Sequence, residues 1–131
     1  MEDVFARLLL GHLTGDYLLQ SKGMALGKSE KSWRGVGVCF VHCLIYTLAV
    51  CLFMWNFNPL FVGLVFASHY PIDRWSLADK WLAVIRGRTF KTALASESAL
   101  RELDIAFTCL VYAVVDNTMH LILLWLTTKI V

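Results

Sequence analysis

Four apolar stretches dominate this chain, and each is broken by histidine or aspartate. They are Val4–Gln20, Val36–Trp55, Pro59–Ile72 and Ile105–Ile130. A helix needs about 20 residues to cross a hydrocarbon core of about 30 Å. The second and fourth stretches meet that length, and the first and third are shorter. Hydrophobic residues make up 58% of the 131-residue chain and charged residues 17%. Mean hydropathy is +0.62. A soluble domain carries about 25% charged residues, so the composition indicates one integral membrane domain over residues 1–131. Backbone exposed to lipid must satisfy its own hydrogen bonds, which predicts helices. The expected fold is all-α, a four-helix transmembrane bundle with spans at about 4–20, 36–55, 59–72 and 105–130. The lipid bilayer is the expected partner.

The net charge of +2 is too small to indicate nucleic acid. The basic residues cluster instead. Lys22, Lys28, Lys31 and Arg34 fall in the loop 21–35; Arg74, Lys80, Arg86, Arg88, Lys91 and Arg101 fall in the loop 73–104. With four spans both loops lie on one side, and the positive-inside rule makes that side cytoplasmic. Both termini then face outward, and the expected location is a bacterial inner membrane. The opening "MEDVF" is acidic where a signal peptide is basic, so the first stretch is expected to be a retained helix. In "RWSLADKWLAVIRG", Trp75, Ala78, Leu82 and Ile85 follow helical spacing, opposite Asp79, Lys80 and Arg86. That predicts an amphipathic helix in the interface between the third and fourth spans. Cys39, Cys43, Cys51 and Cys109 lie in apolar stretches without CxxC spacing and are expected to be buried thiols. A ligand role for Cys39 or Cys43 is the weaker alternative.

The polar residues inside the spans carry the chemistry. All four histidines lie there: His12, His42, His69 and His120. Three pairs stand four residues apart: His12–Asp16, His69–Asp73 and Asp116–His120. On an α-helix this places both side chains on one face. Gln20 extends the first pair. An aspartate at a helix centre costs about 3 kcal/mol on insertion scales. Arg7 is the only basic residue well inside the first three spans and lies near the opposite face from Asp16, so three aspartates must be protonated or share a cation. Imidazole and carboxylate together suit a divalent ion, zinc first, manganese or iron next. The candidate metal ligands are His12, Asp16, His42, His69, Asp73, Asp116 and His120. Asp16 and Asp73 are the candidate catalytic carboxylates. Gln20, Asn117 and Arg74 are further polar candidates. His12, His42 and His69 lie about 6–12 Å from the cytoplasmic helix ends and Asp116 about 16 Å from the start of the fourth span. A centre opening to the cytoplasm follows. Pro71 lies between His69 and Asp73, where proline disrupts a helix, so that pair is the one whose shared face is in question.

The order His-x3-Asp-x3-Gln, a histidine in an apolar helix, His-x3-Asp, then Asp-Asn-x2-His resembles a family of small bacterial and phage membrane proteins, domain of unknown function 3307. The motifs are "GHLTGDYLLQS", "FVHCLIYTLAV", "ASHYPID" and "DNTMH". The resemblance implies that His12, Asp16, Gln20, His42, His69, Asp73, Asp116 and His120 form a shared polar set. A weaker likeness runs to membrane-bound metal-dependent hydrolases.

Three functions fit these residues. The first is a metal-dependent hydrolase taking a lipid or phosphoester from the cytoplasmic side, with Arg74 and the basic loop near the substrate anion. The second is a metal-ion or proton transporter, for which four spans are few, so that a homodimer would complete it. The third is a non-catalytic phage or bacterial membrane module in which the His–Asp pairs are structural.

Overall fold

The structure, a computed structural model, describes residues 4–131. Residues 1–3, and with them the acidic Glu2 and Asp3 of the "MEDVF" reading, lie outside the described residues. The described chain is all-α. Helix α1 spans Val4–Leu13 and runs on into a π-helical turn, Thr14–Leu18. Helix α2 is Lys22–Gly27, α3 Trp33–Met54, α4 Pro59–Arg74, α5 Leu77–Arg86, α6 Phe90–Leu94 and α7 Arg101–Ile130.

Local chemistry sets these limits. Ser32 Oγ accepts from the Gly35 amide at 3.0 Å and starts α3. Trp55, left-handed at φ 52°, stops it. Asn58 Oδ1 accepts from the Leu60 amide at 2.9 Å, and Pro59 occupies the first turn of α4, where its missing N–H costs nothing. Glu102 and Asp104 sit in the first turn of α7, where the helix dipole favours negative charge. Arg88 donates to Asp104 Oδ1 at 2.7 Å and to Thr108 Oγ1 at 3.0 Å, tying the preceding loop to α7.

Helices α1, α3, α4 and α7 pack in a ring, each against two neighbours. Helices α1 and α3 run antiparallel and approach closely. A Cβ at Gly11 would lie 2.9 Å from Val50 Cα, and one at Gly15 would lie 2.7 Å from the Tyr46 ring. Leu8, Val50, Phe61, Val65 and Leu124 form an apolar layer, with Tyr46 and Cys51 in the same cluster. Each of the first five stands one turn, or two, from a histidine or Tyr46 on its own helix, always toward the "NFNP" turn.

Among the described residues, two helices, α3 and α7, are long and apolar enough to cross a membrane. The expected first and third spans fall short: α1 has 10 residues before its 5-residue π turn, and α4 has 16. The outer surface is nonetheless apolar. Phe40, Val41, Leu44, Leu48 and Leu52 on α3 are exposed, as are Phe107, Leu110, Val114, Ile122, Trp125 and Leu126 on α7. All four imidazoles are buried while many leucines are exposed, a distribution that suits a helix pair long enough to cross a membrane.

Two expectations change in detail. In α5, Ala78 and Leu82 are buried, and the helix packs on α7 and α4. Its apolar stripe is therefore partly spent on the protein, while Trp75, Trp81, Val84 and Ile85 remain exposed. Among the cysteines, Cys39, Cys43 and Cys51 are buried, but Cys109 is exposed. It lies on the outward side of α7, which buries only a narrow stripe.

Candidate metal centre

Helix α4 continues through Pro71 to Arg74. His69 and Asp73 therefore do share a face, with His69 Nε2 3.1 Å from Asp73 Oδ2. Helix α3 brings His42 opposite them: His42 Nε2 lies 3.1 Å from His69 Nε2 and 2.9 Å from Asp73 Oδ2. The π turn supplies the fourth atom. Asp16 Oδ1 lies 3.2 Å from His42 Nε2 and 3.5 Å from His69 Nε2. Two nitrogens and two carboxylate oxygens from three helical segments thus converge on one point. Five of the edges between them measure 2.9–3.5 Å. A tetrahedral ion with ligand bonds of about 2.0–2.1 Å requires edges of about 3.3 Å. The set fits such an ion with small adjustments.

The polar atoms in the interior support the same fit. Asp73 Oδ1 and His120 Nε2 are buried without a hydrogen-bond partner, while Asp16 Oδ1 and Asp73 Oδ2 meet only imidazoles and, for Asp73, Lys28. Buried polar atoms are normally paired, and orphans call for a missing ion or water. His69 Nδ1 also lacks a hydrogen bond. Its ring is held by stacking, 3.6 Å from Tyr46 and 4.2 Å from His120 between centroids. Asp116, Asp16 and His120 form a second convergent group that shares Asp16 with the first.

His12 stands in neither group. Asn117 Nδ2 donates to the Ala113 carbonyl at 2.6 Å and to the Tyr17 hydroxyl at 2.5 Å. That orientation turns Asn117 Oδ1 toward His12, so His12 Nε2 carries the proton donated to it at 2.6 Å. His12 Nδ1 is then free to accept from the Tyr46 hydroxyl at 3.0 Å and lies 3.3 Å from Asp16 Oδ2. Both ring nitrogens are engaged, the arrangement of a residue that orients a ligand. His12→Ala should weaken metal binding about 10–100-fold while stoichiometry at saturation is kept. Competition against a chelator measures this. Complete loss of binding would make His12 a direct ligand.

Lys28, at the C-terminal end of α2, brings into the centre a cation that is absent from the expected site residues. Its Nζ lies 2.8 Å from Asp73 Oδ2. Burial pulls the ammonium pKa down, but Asp73, Asp16 and Asp116 outweigh burial and hold it above the ordinary lysine value. The charged form, and its contribution to stability, is thus fully present below about pH 10.4 and lost only above the raised pKa. Gln20 lies at the same mouth. With its oxygen toward the lysine it accepts from Lys28 Nζ at 3.2 Å, while its nitrogen donates to the Asp16 carbonyl at 3.3 Å. Arg74 lies elsewhere and donates to the Glu30 carbonyl at 3.0 Å, bracing the loop.

A cavity of about 230 Å³ opens beside the centre, lined by Asp16, Tyr17, Gln20, Ala25, Lys28, Tyr112, Ala113 and Asp116. Asp73 is surrounded by three imidazoles and Lys28 and takes no part in the cavity wall. Asp16 and Asp116 are the carboxylates that do.

Tyr46, Tyr17 and Lys28 were missed from sequence. Tyr46 had a signal, since it stands one turn from His42 and faces Gly15. Lys28 had none, because its loop had to fold under the bundle first. Cys39 and Cys43 touch each other at 4.0 Å between sulfurs and belong to neither convergent group.

No curated protein and no solved structure is significantly similar to the chain. The family described as "Protein of unknown function (DUF3307)" matches residues 4–131, the segment that contains every residue of this centre, and the chain belongs to that family.

Proposed function

We propose that this chain is an integral membrane metalloprotein that hydrolyses a lipid or another amphipathic phosphoester from the cytoplasmic side. The observation that carries the reading is the tetrahedron of Asp16 Oδ1, His42 Nε2, His69 Nε2 and Asp73 Oδ2 beside a cavity that holds a lysine. A divalent ion there, zinc first and manganese or iron next, offsets carboxylate charge that is otherwise costly at this depth. When bound it supplies Lewis acidity. Lys28 and Gln20 would receive the substrate anion; Asp116, outside the tetrahedron and in the cavity wall, is the carboxylate placed to take the proton of an attacking water. In this reading α1 and α4 also span, tilted little and aided by flanking residues. The loops bearing Lys22–Arg34 and Arg74–Arg101 are cytoplasmic, α5 lies in the interface, and the membrane is a bacterial inner membrane.

Transport is the weaker alternative for a specific reason. The cavity meets the centre from one side, and the layer of Leu8, Val50, Phe61, Val65 and Leu124 packs against the other. A permeating ion needs polar partners on both sides. The test is metal content and turnover of detergent-purified protein. At least one zinc, manganese or iron per chain is expected, with release of phosphate or head group from short-chain phospholipids. Folded protein that takes up none of these ions would end the metal reading. Metal flux into proteoliposomes without turnover would favour transport.

A further inference from the structure

We propose that the centre holds two divalent ions bridged by Asp16 and Asp73, and that the second ion binds together with a phosphate-type anion in the adjoining cavity. The inference rests on the metal reading above and extends it.

The first group already has four protein ligands, the number that closes a zinc site. An ion with fewer protein ligands would keep a position open for substrate. His120 and Asp116 provide for one. His120 is 2% exposed, and its Nε2 has no hydrogen-bond partner. That nitrogen lies 3.7 Å from Asp116 Oδ2 and 3.5 Å from Asp73 Oδ1. Asp16 converges on the same pair. Asp73 has Oδ2 in the first group; its Oδ1, buried without a hydrogen-bond partner, is not one of the three residues that converge in the second but stands 3.5 Å from His120 Nε2 of that group, within reach of a bridging role. Asp16 takes part in both groups. Two carboxylates shared between adjacent ions are the usual build of a two-metal site, which clamps the oxygens of an in-line displacement.

The second position is also the open one. Asp16 and Asp116 line the cavity, whereas His42, His69 and Asp73 do not. Charge then names the ligand class. Three carboxylates and Lys28 are balanced by a single divalent ion; a second ion leaves two positive charges in excess. In a centre walled by apolar helices that excess requires an anion. The cavity that would admit it carries Lys28, Gln20, Tyr17 and Tyr112, all able to donate to phosphate oxygens.

The experiment is a manganese titration of the full chain in detergent, followed by electron paramagnetic resonance and elemental analysis, with and without inorganic phosphate. Two manganese ions per chain are expected, giving a spin-coupled signal. Phosphate should tighten the second ion about tenfold and leave the first nearly unchanged. Asp116→Asn should bind one ion and show an isolated six-line spectrum. Saturation at one ion with or without phosphate overturns the proposal and leaves the single-metal reading standing. Two ions retained in Asp116→Asn also overturns it, since Asp116 is then a proton acceptor and not a ligand. No bound ion of any kind overturns both. The wild-type count is decisive by itself, so a variant that fails to fold does not shelter the proposal.

Discussion

Asp73→Asn is expected to abolish stoichiometric metal binding and to destabilise the bundle. Its carboxylate meets His42 Nε2 at 2.9 Å, His69 Nε2 at 3.1 Å, His120 Nε2 at 3.5 Å and Lys28 Nζ at 2.8 Å. The amide is the same size but lacks the charge, and its NH2 end adds donors where ligands must accept. Losing an outer-shell partner costs about 10–100-fold in affinity. Losing a carboxylate that itself meets His42 and His69 at the ion's position should exceed that, taking metal content from at least one ion per chain to a trace. Lys28 meanwhile loses the carboxylate in contact with it, and removing one partner of a buried pair costs about 3–5 kcal/mol, less here to the extent that Asp16 and Asp116 remain. Elemental analysis reads the first effect and thermal melting in detergent the second. The double variant Lys28→Met, Asp73→Asn separates them: it should recover much of the stability and none of the metal. Full metal content in Asp73→Asn would reduce Asp73 to the partner of Lys28 alone.

Gly15→Ala tests the helix contact that holds the centre together. Helix propensity favours alanine by about 1 kcal/mol. Packing opposes it. The new Cβ would stand 2.7 Å from Tyr46 Cδ2 and 3.0 Å from Tyr46 Cα. The second neighbour is backbone, so α1 and α3 must separate. Overpacking of this kind costs about 1–3 kcal/mol, and the variant should melt earlier despite its better propensity. Tyr46 also donates to His12 and stacks on His69, so metal affinity should fall with stability. Gly63→Ala on α4 is the control. Nothing lies within 4 Å of that Cβ, so propensity alone should act and stability should hold or rise. A Gly15→Ala protein as stable as the control would mean that α1 and α3 are not so close.

Much of the centre could be read from spacing. His69–Asp73 and Asp116–His120 lie on single helices, and an i, i+4 pair on a helix meets whatever surrounds it. Pro71 was the doubt, and α4 absorbs it near its end. His12–Asp16 was harder. The same spacing crosses into a π turn, closed by the Leu19 amide on the Thr14 carbonyl at 3.0 Å. Such turns often sit at functional sites. Here the wider turn lets Asp16 face His42 and His69 while Tyr17 meets Asn117 on α7. No apolar pattern announces that geometry.

Lys28 and Arg74 show the same boundary from the loops. Both are basic residues in cationic stretches, and the expectation from sequence favoured Arg74, beside Asp73 in the chain, over Lys28. Folding sends Lys28 inward to Asp73 and leaves Arg74 bracing a carbonyl outside. Helix α5 adds a third case. Its amphipathic stripe was legible, but the neighbour that covers Ala78 and Leu82 is protein.

By itself the chain determined its longer helices, its apolar exterior and the residues able to bind a cation, because propensity, hydropathy and one-turn spacing act over a few neighbours; the short helices α2 and α6 and the π turn were not legible there. Which oxygens and nitrogens share a point was decided by the ring of four helices, the close approach at Gly15 and the turn at Asp16. Those contacts join residues up to a hundred positions apart, and a distance across a bundle is a property of packing that no local pattern encodes.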